Sequence, residues 1–164
     1  ENSRMKPMPK TRNDLPDNTR KAVIALLNAR LADTIDLRLA VKQAHWNVKG
    51  PNFIALHELF DQIQGRVDTF ADDIAERAVA LGGVVAGTSQ AASKTSNLDA
   101  YPTDVIDEKA HLAALAERLA VYGKLARAAI DASDEVGDKD TADLFTGVSR
   151  QIDKDLWFIE AHLQ

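Results

Sequence analysis

Cysteine is absent from all 164 residues. That excludes a disulfide framework and any thiolate-bound metal, and it is compatible with a reducing cytosol. No apolar run approaches the ~18 residues that a membrane-spanning helix needs, and no secretory leader core is visible. Glycine and proline are sparse, at eight and five, while Ala, Leu, Asp and Lys abound, so helices are expected rather than sheet. Positive charge is in deficit: 20 Lys and Arg against 25 Asp and Glu give a net −5. The body therefore lacks the basic footprint of a nucleic-acid binder. No internal repeat or low-complexity block occurs. The expectation is one all-α, cytoplasmic domain, long enough to bury a real core.

The chain opens with ENSR before Met5; residues 1–4 are expected to be an addition preceding a native start at Met5. Residues 5–12 carry Lys6, Lys10 and Arg12, two prolines and no acid. Residues 1–16 are thus expected to form a short, basic, mobile tail, with the bundle occupying 17–164. A first helix is predicted from Asp17 to Val48, between Pro16 and Gly50-Pro51. Its apolar stripe of Val23, Leu27, Leu31 and Ile35 shifts to Leu37, Val41 and Ala44, as if it met more than one partner.

A second helix is predicted over 52–81, with Leu56, Leu59, Phe60, Ile63, Val67, Phe70, Ile74, Ala78 and Leu81 at steps of three and four. Gly82-Gly83 stops it. Residues 84–101 read as a long crossover whose TSQAASKTS suits one short helix. A third long helix is predicted over 103–134, opened by Tyr101-Pro102, and a fourth over 140–163 with Leu144, Val148, Ile152, Leu156, Ile159 and Leu163 inward. A four-helix bundle with one long crossover is the ferritin-like arrangement.

The chemistry concentrates between His45 and Gly83. His57 and Asp61 are four apart, as are Asp72 and Glu76, so each pair shares a helix face. From Asp61 to Asp72 is eleven residues, which at about 100° per residue returns to nearly the same azimuth about 16 Å further on. Metal bonds to nitrogen and oxygen are about 2.0–2.2 Å, so one ion cannot join the two pairs. A two-fold axis with antiparallel copies of this helix would set the His57/Asp61 end of one against the Asp72/Glu76 end of the other. Imidazoles with carboxylates suit redox-active Fe(II), and the reading is an iron site shared between subunits.

The run KQAHWNVKGPNFIALHELFD, followed by DxxxERAxxLGG, YPTD at 101–104, DTAD at 140–143 and DKDLWFIE at 153–160, closely resembles the Dps family, the mini-ferritins of ferritin-like fold. The resemblance covers nearly the whole chain. It implies that His45, His57 and Asp61 come from one subunit and Asp72 and Glu76 from its two-fold mate, and that together they form a ferroxidase site holding iron, two ions per site. It also implies a short helix in the crossover near the dimer axis, a homododecameric shell with tetrahedral symmetry, and hydrogen peroxide as the preferred oxidant of Fe(II). The Fe(III) produced is stored inside, which protects DNA from oxidative damage. Acids near the last turn line pores at the three-folds of such shells, and Asp134 and Asp143 are the candidates here.

Around these residues, Lys42 precedes His45 by three and is placed to pair with Asp61. Trp46 is expected to pack in the core or an interface first, with a role near the iron second. Asp73 and Glu58 sit off the ligand azimuth. The acids Asp131, Asp134, Glu135, Asp138, Asp140 and Asp143 surround one turn, with Asp140 expected to cap the last helix. Glu108-Lys109-Ala110-His111 is a Glu-x-x-His, but a bundle-internal diiron centre needs two of these and only one occurs. His111 is therefore expected to be structural, and His162 to be exposed. The alternative function is a DNA-condensing nucleoid protein with incidental ferroxidase activity. Residues 5–12 are short for that role, and DNA binding through the tail is expected to be weak.

Overall fold

The computed structural model describes residues 8–164. Residues 1–7, and with them Met5, Lys6 and the start of the expected tail, lie outside the described residues. The helices are α1 Asp17–Asn47, α2 Phe53–Ala80, α3 Ser89–Thr95, α4 Glu108–Glu135 and α5 Lys139–Glu160. α1 packs along α2 and α4 along α5, while α1 also meets α4, α2 meets α5, and α3 lies on α1.

Hydrogen bonds at the two ends fix the direction of each helix. At the first end, the turn between α1 and α2 meets the start of α4. Lys49 N–H donates to the Ile106 carbonyl at 2.8 Å and Glu108 N–H to the Lys49 carbonyl at 3.0 Å. The Glu108 carboxylate accepts from the Asn52 backbone N–H at 3.0 Å and its side-chain amide at 2.9 Å. At the other end, the Thr19 hydroxyl donates to the Val136 carbonyl and Arg20 Nη1 to the Leu81 carbonyl. Hence α2 and α4 run the same way and α1 and α5 run against them. The crossover must span the bundle's length to make that possible, and α3 is part of it.

Gly50 makes the first end possible. Its φ is +152°, and a Cβ there would collide with the Glu108 carboxylate. Gly50→Ala is expected to cost about 1–3 kcal/mol by displacing that carboxylate from Asn52 and straining the turn. A urea melt that matches wild type would contradict this.

The shift in the α1 stripe has a cause. Val23, Leu27, Leu31 and Ile35 join Ile74, Ala78, Leu81 and Phe145 in one apolar cluster, and Leu37, Val41 and Ala44 join Leu56, Phe60, Ile63, Leu115 and Ile152 in the other. Near the end of the first stretch α1 also buries Asp33 and Thr34. The Thr34 hydroxyl lies 2.7 Å from the Tyr122 hydroxyl. The Asp33 carboxylate accepts from Asn97 N–H at 2.7 Å and sits 2.9 Å from Arg30 Nε. Paired polar groups are tolerated at this depth; the Asp33 contact ties the crossover to α1, and the Thr34 contact ties α4 to it.

Four expectations are corrected. The third long helix begins at Glu108, not at residue 103, because Asp107 caps it by accepting from the Lys109 and Ala110 N–H groups; Tyr101 and Pro102 remain in the crossover. Asp138, not Asp140, caps α5, accepting from Thr141 N–H. Leu163 lies beyond the end of α5 and is 44% exposed. The tail is not free from its eighth residue onward: Met8 and Leu15 pack against the cluster around Val23 and Leu27.

Candidate metal centre

His45 comes from the last turn of α1 and His57 from the second turn of α2. Their ring centroids are 3.8 Å apart and the planes nearly parallel, at 17°. His45 Nδ1 lies 2.7 Å from the His57 carbonyl oxygen, and His57 Nδ1 lies 2.8 Å from the His45 carbonyl oxygen. A carbonyl can only accept, so each Nδ1 carries a proton and donates it to the other residue's backbone. This places a proton on each Nδ1 and leaves both Nε2 atoms outside the exchange. The arrangement also gives the His45 carbonyl, one of the four at the end of α1 without a helical acceptor role, a donor of its own. Phe53 adds a ring 5.1 Å from that of His57.

Asp61 stands one turn further along α2. Its Oδ1 is 4.0 Å from His45 Nε2 and 2.7 Å from Lys42 Nζ. The Lys42 hydrogen bond, with the nearby imidazoles, holds the Asp61 carboxyl below the usual carboxylate range. It is ionised and half exposed, ready to accept a cation. The expected pairing of Lys42 with Asp61 is present. Trp46, by contrast, is 63% exposed and belongs to no core within the chain. It follows His45 at the very end of α1, where the helix face turns to solvent.

Asp72 and Glu76 occur on the same helix as Asp61 but beyond its reach, and both are exposed. Among the described residues neither has an ion pair or a side-chain hydrogen bond. Asp72 borders a groove of about 410 Å³ that is also lined by Arg38, Asp68, Leu31 and Ile35. Among the described residues no three His, Asp or Glu side chains gather closely enough to hold an ion. The chain thus brings His45, His57 and Asp61 together and leaves Asp72 and Glu76 apart.

The remaining candidates divide clearly. Asp134 pairs with Lys139 at 3.3 Å, and Asp143 lines a groove of about 480 Å³ with Arg66 and Asp73. His111 is fully buried. Its Nε2 donates to the Val105 carbonyl at 2.9 Å and its Nδ1 accepts from the Tyr101 hydroxyl at 2.6 Å. Burial holds its pKa below that of a free imidazole. With both nitrogens engaged, and Glu108 committed to Asn52, the Glu-x-x-His unit has no open lone pair for a metal. His162 is exposed. Two ion pairs brace the helix that carries Asp61, Asp72 and Glu76. Arg66 binds the buried Asp155 at 2.6 Å, and Arg77 binds the buried Asp138 at 3.0 Å. Neither pair was foreseeable from spacing, since the members lie 89 and 61 residues apart.

A ferritin-like domain model matches residues 24–164. The DNA protection during starvation protein of Agrobacterium fabrum is 55% identical over 155 residues, covering 94% of this chain and 96% of that protein. The protein of the same name from Mycolicibacterium smegmatis is 36% identical over 152 residues, covering 92% and 81%. Among solved structures, DpsA14 from Streptomyces coelicolor superposes with a TM-score of 0.90 at 38% identity, covering 96% of this chain and 94% of that one. Dps from Mycobacterium smegmatis gives 0.90 at 35% identity, covering 94% of each.

Proposed function

This chain belongs to the Dps family of ferritin-like proteins, and we propose that it oxidises Fe(II) at sites each shared by two copies and stores the Fe(III) in a hollow shell of twelve. The observation that carries the reading is the reciprocal pairing of His45 and His57. It commits both Nδ1 atoms to backbone carbonyls and leaves both Nε2 atoms uncommitted, that of His45 4.0 Å from an ionised Asp61. Neutral imidazole nitrogens and carboxylates are a ligand set for Fe(II), and few ligands leave positions open for an oxidant.

In this reading Asp72 and Glu76 of a second copy complete the set, across a two-fold axis. They are exposed, acidic and without a partner of their own. Facing Asp61, they would repel it unless a cation lay between them. Lys42 holds the Asp61 carboxylate in its charged form. Iron is substrate here rather than resident cofactor. Two Fe(II) ions give up one electron each to hydrogen peroxide, whose O–O bond breaks and, with two protons, yields two waters. Fe(II) and peroxide are thus consumed together before they can generate radicals, which accounts for the DNA protection in the names of the relatives. Asp134 and Asp143 would draw Fe(II) inward where three copies meet. A cytoplasmic location fits this role, and no helix among the described residues is long and apolar enough to cross a membrane.

The test is an anaerobic titration of the purified assembly with Fe(II), followed by peroxide or air. Saturable binding and then rapid oxidation, faster with peroxide, is expected. Binding of zinc alone without iron turnover would remove the assignment.

The second reading, a DNA-condensing protein, finds little support. Met8 packs against the body, so Lys10 and Arg12 follow an anchored residue and have little reach. Several tails on one shell still act together. Weak duplex binding is expected, falling steeply with salt and lost when residues 1–12 are removed. Tight binding that survives salt would place the DNA surface elsewhere.

A further inference from the structure

The exchange between His45 and His57 depends on the turn joining α1 to α2, because each Nδ1 reaches the other residue's carbonyl across it. That turn is braced from outside by the chain at the start of α4. Lys49 exchanges backbone hydrogen bonds with Ile106 and Glu108, and the Glu108 carboxylate accepts from the backbone and side-chain N–H groups of Asn52. Whatever holds residues 105–108 in place therefore bears on the two imidazoles.

Two side chains of α4 hold them. His111 and Arg118 are seven residues apart, which returns within about 20° of the same azimuth on a helix. The Arg118 guanidinium donates to the Asp99, Ala100 and Ala114 carbonyls at 3.2, 2.7 and 3.0 Å, and lies 5.1 Å from the centre of the Tyr101 ring. His111 accepts from the Tyr101 hydroxyl at Nδ1 and donates from Nε2 to Val105. Residues 99–105 thus form a strap pinned to α4, and Ile106 of the brace follows directly. The strap needs a neutral ring, since Nδ1 accepts while Nε2 donates. A second proton would charge a ring that is 0% exposed. Arg118 is close by, and its hydrogen-bond partners among the described residues are carbonyls. Asp107 favours the proton, but burial outweighs it. Glu108, one turn before, is committed to Asn52.

We infer that Tyr101 and His111 are positioning residues for the iron ligands: their pair straps residues 105–108 against the turn that sets His45 against His57, and a proton on His111 loosens that strap. The inference rests on the reading of His45 and His57 as ligands, and it adds control of their geometry by pH. Burial keeps the folded pKa of His111 below the value of about 6.5 for a free imidazole, so the closed strap has its full strength above that pH. It weakens as pH falls from there, because the open form takes up a proton that the closed form excludes. One pH unit lower, the open form gains by up to about tenfold.

Amide hydrogen exchange on the intact, iron-free protein reads the strap directly. The Lys49 and Glu108 N–H groups bridge the turn and α4. Their opening is expected to rise by up to about tenfold as pH falls from about 7.5 to about 5.5, after correction for intrinsic exchange. His111→Gln supplies an amide donor and a carbonyl acceptor but cannot titrate. It is expected to match wild type at the higher pH and to stay protected at the lower one. Tyr101→Phe keeps the ring but leaves His111 Nδ1 buried without a donor, and is expected to raise opening at least about fivefold even at the higher pH. Opening that ignores pH in wild type, that follows pH equally in His111→Gln, or that is unchanged in Tyr101→Phe would overturn the strap. Should His111→Gln not assemble, wild type and Tyr101→Phe still decide. Anaerobic Fe(II) then tests the link to the ligands. If iron binds only the closed turn, Fe(II) at about ten times its Kd should lower opening at Glu108 about tenfold. Iron that binds without protecting Glu108 would refute the positioning role and keep the ligands. No Fe(II) binding at all would remove the ligand reading, and the positioning role with it, whatever the strap does.

Discussion

A chain carrying His45→Ala and His57→Ala, co-assembled with an equal amount of one carrying Asp72→Ala and Glu76→Ala, is expected to recover about one quarter of the wild-type sites. Each variant alone is expected to lose rapid Fe(II) oxidation. The recovery follows from how lesions are distributed. About half of randomly formed dimers are mixed, and in a mixed dimer one site collects both lesions and the other collects none. A site housed within one bundle behaves differently, because every bundle keeps its own lesion and no mixture restores it. None of the four residues belongs to the apolar clusters, so helical content and assembly should be retained. Verified mixed shells that show no recovery would refute the division of the site, and an undiminished rate in the double histidine variant would refute its ligands.

The largest loss of stability is expected at Arg66. Asp155 is fully buried, and its carboxylate accepts from Arg66 Nη2 at 2.6 Å, from Arg66 Nε at 3.1 Å and from Gln151 at 3.1 Å. Burial pushes the Asp155 carboxyl up, against the pull of Arg66. Arg66→Ala leaves a charge in the core with one neutral donor, and removing one member of a buried pair costs about 3–5 kcal/mol. The loss should depend on pH. A carboxyl whose folded pKa lies above its unfolded value holds more protons in the native state, so stability falls as pH rises through that interval and is flat beyond it. The deficit of Arg66→Ala relative to wild type should therefore be greatest at neutral pH and shrink as acid protonates Asp155. Arg66→Met with Asp155→Leu should recover most of it, since apolar replacement of both members is often neutral or better. Equal deficits at every pH would mean that Arg66 contributes packing rather than charge.

Much of this was legible in the sequence because single elements carried it. Long apolar stripes with Pro16-Asp17 before them and Gly82-Gly83 after them define α1 and α2. The eleven-residue step from Asp61 to Asp72 sets the His57/Asp61 and Asp72/Glu76 pairs well apart along α2, as the structure has them. Lys42, on the His45 face, was placed to meet Asp61 and does so. Where several acids or a proline competed for a helix start, spacing failed. Tyr101-Pro102 resembles an opening, yet the Asp107 carboxylate reaches two free N–H groups and begins α4 there. Asp138 likewise prevails over Asp140 because it also binds Arg77 and the Thr141 hydroxyl. The exchange of hydrogen bonds between His45 and His57 was invisible, since its acceptors are backbone carbonyls brought together only by the turn between α1 and α2.

If no chain holds a complete site, as proposed, there is a consequence for timing in the cell. If two copies must meet before iron reacts, newly made chains are silent, and below the dissociation constant the rate rises with the square of their concentration. Oxidation would then be deferred until chains are abundant enough to associate. Fe(III) is nearly insoluble at neutral pH, so a lone chain that oxidised iron would shed rust into the surrounding fluid. Under the proposed reading, a helix that carries two mismatched halves would make the container a precondition of the reaction that fills it.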